Sequence, residues 1–313
     1  MTQTPASPPQ DPAAAAAAID GPSPSPTPGA GVTVVIPALN EEAAMAPTLE
    51  ALTAMAQGLD GPCELLVVDD GSSDRTGDIA RALGARVLRH PQPGGYGHAL
   101  KTGIRAATYD RIAITDADGT YPVEEIPRLL GLLDQGHTMV VGARTGRHFR
   151  RPGLGSPLRA LFHLLASFVT GTRIPDPNSG LRVFRKADFL PILDRLPRAF
   201  SFTTTSTVIL ILSGAFVHFT PIAYHQRIGR SKVRLLRDAL RVGQTFAEAI
   251  LTHNPLKLFL LLAMVPALGA VVALVAASGS FAVLLAVILA TGSLTIFALG
   301  MLAVVVLFHV DRR

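Results

Sequence analysis

The chain has 313 residues, enough for one large core with accessory segments but crowded for two separate cores. Hydrophobic residues make up 49% against 16% charged, mean hydropathy is +0.38, and the apolar excess gathers after Asn254, which points to a membrane segment. The formal net charge of +5 suits an anionic partner, whether nucleic acid, phosphorylated substrate or acidic lipid, while the single cysteine, Cys63, excludes an internal disulfide framework and a cysteine-based zinc site.

Residues 1–30 are Pro, Ala, Ser and Thr with almost no large apolar side chain, a composition that predicts a disordered tail. The Ala13 to Ala18 run lacks a basic flank and is too short for a signal core, so no secretory signal is expected. From Gly31, short apolar runs alternate with amphipathic stretches, the pattern of βαβ units in an α/β fold with a mainly parallel sheet. The runs predict strands at Val32 to Ile36, Glu64 to Val68, Ala85 to Leu88, Arg111 to Thr115 and Thr138 to Val141. Helices are predicted at about Glu41 to Ala56, from near Asp74, at Gly97 to Ala107 and at about Val123 to Leu133, with Ser72 or Ser73 offering the N-cap hydroxyl of the second.

In open α/β sheets the ligand crevice lies beyond the carboxyl ends of the strands. Three strands deliver polar residues there: Asn40 and Glu41, Asp69 and Asp70, Asp116 and Asp118. A site on that edge is expected.

After Asn254, the stretches Leu256 to Ala277 and Phe281 to Val310 carry few charges, and each is long enough to cross a hydrocarbon core of roughly 30 Å. Only Ser278, Gly279 and Ser280 separate them, which predicts a transmembrane hairpin with both ends on one side. Basic residues crowd before it, at Arg227, Arg230, Lys232, Arg234, Arg237 and Arg241, and Arg312 and Arg313 follow it, so the positive-inside rule puts the α/β domain on the cytoplasmic side of a cell membrane. Residues 233–253 alternate basic and apolar positions at helical spacing, as in an amphipathic juxtamembrane helix against anionic lipids, or a plain surface helix. The layout expected is a tail (1–30), an α/β catalytic domain (31–232), the amphipathic helix (233–253) and two transmembrane helices (254–313).

Asp116-Ala117-Asp118 closes the fourth predicted strand, and two carboxylates one residue apart in an extended segment can grip a hard cation that also bridges diphosphate oxygens. Gly94-Gly95-Tyr96-Gly97-His98-Ala99 offers a superficial dinucleotide fingerprint, but it follows the third strand and lacks the G-x-G-x-x-G spacing.

In chain order, Val34-Val35-Ile36-Pro37-Ala38-Leu39-Asn40-Glu41-Glu42 and Val67-Val68-Asp69-Asp70-Gly71-Ser72-Ser73-Asp74-Arg75-Thr76 resemble the opening of family 2 glycosyltransferases of the GT-A fold. The resemblance implies Pro37, Leu39, Asn40, Glu41, Asp69 and Asp70 around the nucleotide, with Lys101, Asp116 and Ala117 completing the donor site. Asp116-Ala117-Asp118 resembles the family's DXD signature, which implies Mg2+ or Mn2+ on Asp116 and Asp118; many relatives carry Gln where this chain has Thr120. Val141-Gly142-Ala143-Arg144 is similar to the strand and arginine facing the diphosphate, Asp176-Pro177-Asn178-Ser179-Gly180-Leu181-Arg182 to the acceptor-side motif, and Arg227-Ile228-Gly229-Arg230-Ser231-Lys232 to the R-x-G-x-S-K loop that closes over the diphosphate. Joined to the hairpin, these narrow the resemblance to the dolichyl- and polyprenyl-phosphate sugar synthases. Arg159 falls where relatives place a basic residue near the acceptor phosphate, and Phe202-Thr203-Thr204-Thr205 replaces acidic residues common there.

The function so implied is inverting, metal-dependent transfer of a sugar from a nucleotide-sugar, such as GDP-mannose or UDP-glucose, to a polyprenyl phosphate, with catalytic roles for Asp118, Arg144, Arg159, Arg182, Arg227 and Lys232. Such an acceptor accounts for the lack of a convincing His or Glu base: a phosphate monoester, with a second pKa of about 6, is already a dianionic nucleophile at neutral pH. Membrane lipids are expected partners and nucleic acid is not; Gly269, Gly292 and Gly300 offer close helix contacts for a homo-oligomer. Two other readings stand beside this one. A hydroxyl-acceptor glycosyltransferase would want a base and usually a Q-x-x-R-W motif, but the chain has no tryptophan. A catalytically silent membrane scaffold sits poorly with the joint presence of Asp116, Asp118, Arg227 and Lys232.

Overall fold

A computed structural model describes residues 31–146, 164, 166–168, 170–199, 201–226, 255–276 and 279–310, with side chains as far as 306. The expected tail (1–30), the amphipathic segment (233–253), and Arg159, Arg227 and Lys232 lie outside the described residues.

Seven strands form one sheet: β1 (Val32–Ala38), β2 (Cys63–Asp69), β3 (Arg86–Arg89), β4 (Arg111–Ile114), β5 (Met139–Thr145), β6 (Arg182–Arg185) and β7 (Val217–Ala223), in the order β3-β2-β1-β4-β6-β5-β7. β1 pairs in parallel with β2 and β4, β2 with β3, and β5 with β7. β6 alone is reversed, running antiparallel to both β4 and β5, so the sheet is mainly parallel, as expected, with one antiparallel strand inside it. The order reverses between β1 and β4, the kind of switch point at which α/β sheets open a ligand crevice.

Every residue of β1 is buried because helices cover both faces of the sheet. Val34 and Ile36 meet Met45, Leu49 and Leu52 of α1 (Glu42–Ala56) and Ile126, Leu129 and Leu133 of α4 (Ile126–Asp134). Val35 turns the other way, toward Leu100 and Ile104 of α3 (Tyr96–Ala106), Phe189 and Leu193 of α5 (Lys186–Leu193), and Phe202 and Ile209 of α6 (Phe202–Leu212). Each such side chain, removed from water, contributes roughly 1.5–3 kcal/mol. Gly103 lets α3 come close, since a Cβ there would lie 2.4 Å from Val35 Cγ1.

The second helix, α2 (Thr76–Ala82), begins later than expected and without a serine cap. Asp74 accepts the Thr76 amide at 3.0 Å instead, while Ser72 and Ser73 bond to Asn40. A 3-10 turn at Val123–Glu125 precedes α4, whose first turn holds Pro127. α6 went unanticipated: its Thr-Thr-Thr-Ser-Thr run favours strands, but burial of that whole face overrides propensity.

α7 (Pro255–Ala276) and α8 (Ser280–Val310) form an antiparallel hairpin. Its seam pairs Phe259 with Gly300, Ala263 with Ser293, and Gly269 with Leu289. Gly269 and Gly300, expected to serve contacts between protomers, are thus taken up inside the hairpin, and only Gly292 faces open space. Both helices are long and apolar enough to cross a membrane, and only 11% of each apolar window is buried within the protein, unlike core helices. At its foot Leu258 packs on Ala166, Ile174 and Val208, and Lys257 Nζ donates to the Phe168 carbonyl at 3.3 Å.

Candidate active site

The loops after β1 and β2 are bound to each other. Asn40 adopts a left-handed φ of 49°, its amide donating to Ser72 Oγ at 2.9 Å and its Oδ1 accepting the Ser73 amide at 2.8 Å. The Glu41 amide donates to Thr76 Oγ1 at 2.9 Å, and Arg75 grips Glu42 at 2.6 and 2.8 Å. Pro37 is buried near the end of β1, with Leu39 half-buried and Asn40 exposed beyond it, at the carboxyl end of the strand.

Asp69 and Asp70, expected as nucleotide contacts, turn inward. Asp69 has no exposure; its Oδ1 accepts the Ser72 amide at 2.8 Å and its Oδ2 lies 3.5 Å from Arg89 Nε. Asp70, only 3% exposed, accepts the Gly94 amide at 2.9 Å and the Gly95 amide at 2.7 Å, with His90 Nδ1 2.7 Å away. Burial of a carboxylate requires such partners. Both acids brace loops. Lys101, also expected at the donor site, instead donates to the Asp194 carbonyl at 3.2 Å, beyond the end of α5.

The acidic pair stands at the carboxyl end of β4. Asp118 is 2% exposed, and its Oδ1 accepts from the Thr120 hydroxyl at 2.6 Å and the Thr120 amide at 3.1 Å. Asp116 Oδ1 accepts from the Tyr96 hydroxyl at 2.9 Å. Between them the Ala117 carbonyl accepts from Thr48 Oγ1 at 3.2 Å, tying the turn to α1. The Thr120 carbonyl in turn accepts the His225 amide at 2.9 Å, which brings the exposed His225 to this turn. Thr120 stands where relatives were expected to carry Gln, and here it steadies Asp118.

Near the end of β5, Arg144 forms a two-pronged ion pair with Asp176 at 2.7 and 2.9 Å, joined by the Arg144 amide at 3.1 Å. The Arg144 guanidinium lies 5.3 Å from the Tyr224 ring, which packs edge-on against Tyr121, and Tyr121 Oη accepts the Gly180 amide at 2.6 Å. The pair ties β5 to the turn at 176–180.

Arg182, expected to act on substrate phosphate, has no exposure at all. Its guanidinium donates to the carbonyls of Ser179 and Thr203 (2.9 Å to the latter) and lies 3.2 Å from Ser206 Oγ and 3.3 Å from Thr207 Oγ1. Of the threonines that stand in place of acidic residues only Thr203 touches Arg182, through its backbone carbonyl, and Ser206 and Thr207 supply the hydroxyls, so Arg182 is a buried tie between the 176–180 turn and α6. A charged residue in a polar motif gave no sign of that. Tyr96, Tyr121 and Tyr224 were likewise passed over, because tyrosines carry no spacing signature; only the fold brings them to the acidic pair.

Residues 33–191 match the family described as Glycosyl transferase family 2. A dolichyl-phosphate hexose transferase of Haloferax volcanii is 31% identical over 71% of this chain and 95% of its own length. The undecaprenyl-phosphate 4-deoxy-4-formamido-L-arabinose transferase of Salmonella paratyphi A is 30% identical over 76% of this chain and 72% of its own. Among solved structures, glucosyl-3-phosphoglycerate synthase from Mycobacterium tuberculosis, crystallised with Mn2+, UDP and glucosyl-3-phosphoglycerate, superimposes with a TM-score of 0.55 at 26% identity, over 71% of this chain and 80% of that one. With the acidic pair at the strand end of a GT-A-like sheet, these likenesses make the chain a member of glycosyl transferase family 2, and a glycosyltransferase.

Proposed function

We propose that the protein transfers a sugar from a nucleotide-sugar to a polyprenyl phosphate at the cytoplasmic face of a membrane, using Mg2+ or Mn2+ at Asp116 and Asp118. The observation that carries this reading is the acidic pair, two carboxylates at the carboxyl end of β4, each steadied by a donated hydroxyl. Two relatives named for transfer to dolichyl and undecaprenyl phosphate, and two helices fit to cross a bilayer, support the acceptor and its setting.

The donor set suits a hard cation. Asp116 and Asp118 would supply two carboxylate ligands, oxygen donors of the kind hard cations such as Mg2+ take. The crystallised relative held Mn2+ beside UDP. When bound, such a cation offsets the charge gathering on the departing nucleoside diphosphate.

The chain's own groups do the rest. Pro37, Leu39, Asn40 and Glu41 form the rim offered to base and ribose. Arg144 holds the wall opposite through Asp176, and Arg159, Arg227 and Lys232 are assigned to the two phosphate groups. No base is required, because the acceptor phosphate is already ionised; alignment and charge balance carry the reaction, and a single displacement inverts the anomeric carbon. Residues 31–232 form the catalytic domain, 233–253 the amphipathic segment and 254–313 the two-pass anchor.

The test is a donor screen in membranes holding the full-length protein and undecaprenyl phosphate, with and without a chelator. A labelled, chloroform-soluble product that vanishes on chelation and in Asp118→Ala is expected. Product formation that survives exhaustive chelation would refute the metal assignment, and label appearing only on hydroxyl acceptors would refute the acceptor.

A further inference from the structure

We infer that Tyr96 is a positioning residue that sets the Asp116 carboxylate for the cation, held in place for that purpose by the Asp70 brace. The inference rests on the metal-dependent reading above. Tyr96 begins α3 with its ring packed against the core layer under that helix, and its hydroxyl donates to Asp116 Oδ1 at 2.9 Å. A carboxylate at the end of a short side chain rotates freely unless something holds it. One firm donor to one oxygen fixes that rotation and so fixes where the remaining lone pairs point.

Backbone also closes on the same carboxylate. A Cβ on Gly180 would lie 3.0 Å from both Asp116 Oδ1 and Oδ2, so the group sits in a slot between the Tyr96 hydroxyl and Gly180. Gly180 is itself fixed, its amide donating to Tyr121 Oη at 2.6 Å. The two walls come from elements remote in sequence, which is why no local motif reveals the slot.

Tyr96 also has little freedom of its own. Gly95 before it has a φ of 102°, and the amides of Gly94 and Gly95 both donate to Asp70. On the other side, a Cβ at Gly97 would lie 2.3 Å from the Pro197 carbonyl oxygen. Asp70 thus fixes Gly95, Gly95 leads into Tyr96, and Tyr96 fixes Asp116. The acid after β2 acts on the acid after β4 through one loop and one phenol.

The test compares full-length wild type with Tyr96→Phe in detergent. The ring that packs in the core is kept and only the hydroxyl is lost. Free Mn2+ is titrated by electron paramagnetic resonance with saturating UDP and, separately, GDP. Loss of a hydrogen bond to a charged group is expected to weaken Mn2+ binding about tenfold, with the thermal midpoint little changed. In the Asp116→Asn background the same change is expected to have no further effect, because the hydroxyl acts through that carboxylate. Mn2+ binding within twofold of wild type in Tyr96→Phe, or an equal loss in the Asp116→Asn background, overturns the inference. Wild-type protein that binds no Mn2+ with either nucleotide overturns the metal-dependent reading itself, and this inference with it.

Discussion

The Arg182 guanidinium donates to the Thr203 carbonyl at 2.9 Å from a position without solvent exposure, joining β6 to the first turn of α6. The same group holds the Ser179 carbonyl, so one side chain ties the turn beside the acidic pair to the helix behind it. Among the described residues no carboxylate pairs with it directly, and burial pushes its pKa down to about 10. Carbonyl and hydroxyl oxygens bond the charge directly, and the Asp176 carboxylate favours it at longer range.

Arg182→Ala is therefore expected to destabilise the protein by about 3–5 kcal/mol, since it leaves buried carbonyls without donors and opens a cavity. Arg182→Lys should recover only part of that, because an ammonium cannot reach carbonyls and hydroxyls on two elements with one planar fork. Denaturant unfolding in detergent measures both. A stable but inactive Arg182→Ala would return this residue to the substrate.

Thr120 acts on Asp118 through two bonds, only one of which a substitution can remove. Thr120→Val deletes the 2.6 Å hydroxyl bond and keeps the backbone one. Loss of a hydrogen bond to a charged group, roughly 1.5–3 kcal/mol, predicts a fall of about tenfold or more in kcat/KM, expressed mainly in the metal concentration needed for half activity. Thr120→Ser should stay close to wild type. Metal titrations of transferase activity decide it, and a Thr120→Val enzyme with normal metal demand would show that Asp118 is held by other means.

How far the sequence disclosed this arrangement depended on what each residue's neighbours were. The acids closing β2 and β4 stood in βα units of regular period, so strand ends and their order could be read directly. Which way each carboxylate turns could not: Asp70 and Asp116 have the same local setting, yet one braces Gly94 and Gly95 and the other lies between Tyr96 and Gly180. The antiparallel β6 was hidden because its Arg-Val-Phe-Arg stretch is short and carries charge at both ends. α6 was hidden because its first two turns bury a run of hydroxyl residues, two of which face Arg182, before the apolar Val208, Ile209 and Leu210 follow. The hairpin was legible almost to the residue, since two long apolar runs around a single Gly-containing break admit few structures.

Acid should weaken the loop that carries Tyr96. His98 packs against His90 at 4.6 Å, and burial first, then the charges of His90, Arg198 and Lys101, hold its pKa below the ordinary value near 6.5, with Asp70 opposing. The unfolded chain then binds a proton more readily than the native one between the lowered value and 6.5, so stability from this group is present above 6.5 and is lost as pH falls through that window. His98→Gln should be the less pH-sensitive protein over that range. Thermal midpoints of the two proteins from about pH 5 to pH 8, where an unperturbed histidine titrates, check this; parallel curves would mean that His98 protonates as easily folded as unfolded.

The membrane hairpin offers a separate test of close packing without a hydrophobic driving force between helices. A Cβ at Gly300 would lie 2.4 Å from Phe259 Cβ, and seven residues earlier on the same face Ser293 Oγ donates to the Ala263 carbonyl at 2.8 Å. Gly300→Val must therefore push α8 off α7 or distort Phe259, at a cost of about 1–3 kcal/mol. Ser293→Ala should cost less, roughly 0.6 kcal/mol, as is usual for one hydrogen bond between helices in lipid. Gly292→Val, facing open space, is the matched control and should be close to neutral. Unfolding in mixed micelles at rising SDS fraction orders the three variants. Equal midpoints for Gly300→Val and Gly292→Val would mean that the seam at Phe259 does not hold the hairpin together; the predicted order would place its stability in backbone approach, with Leu258 and Lys257 at the foot of α7 left to orient the pair against the catalytic domain.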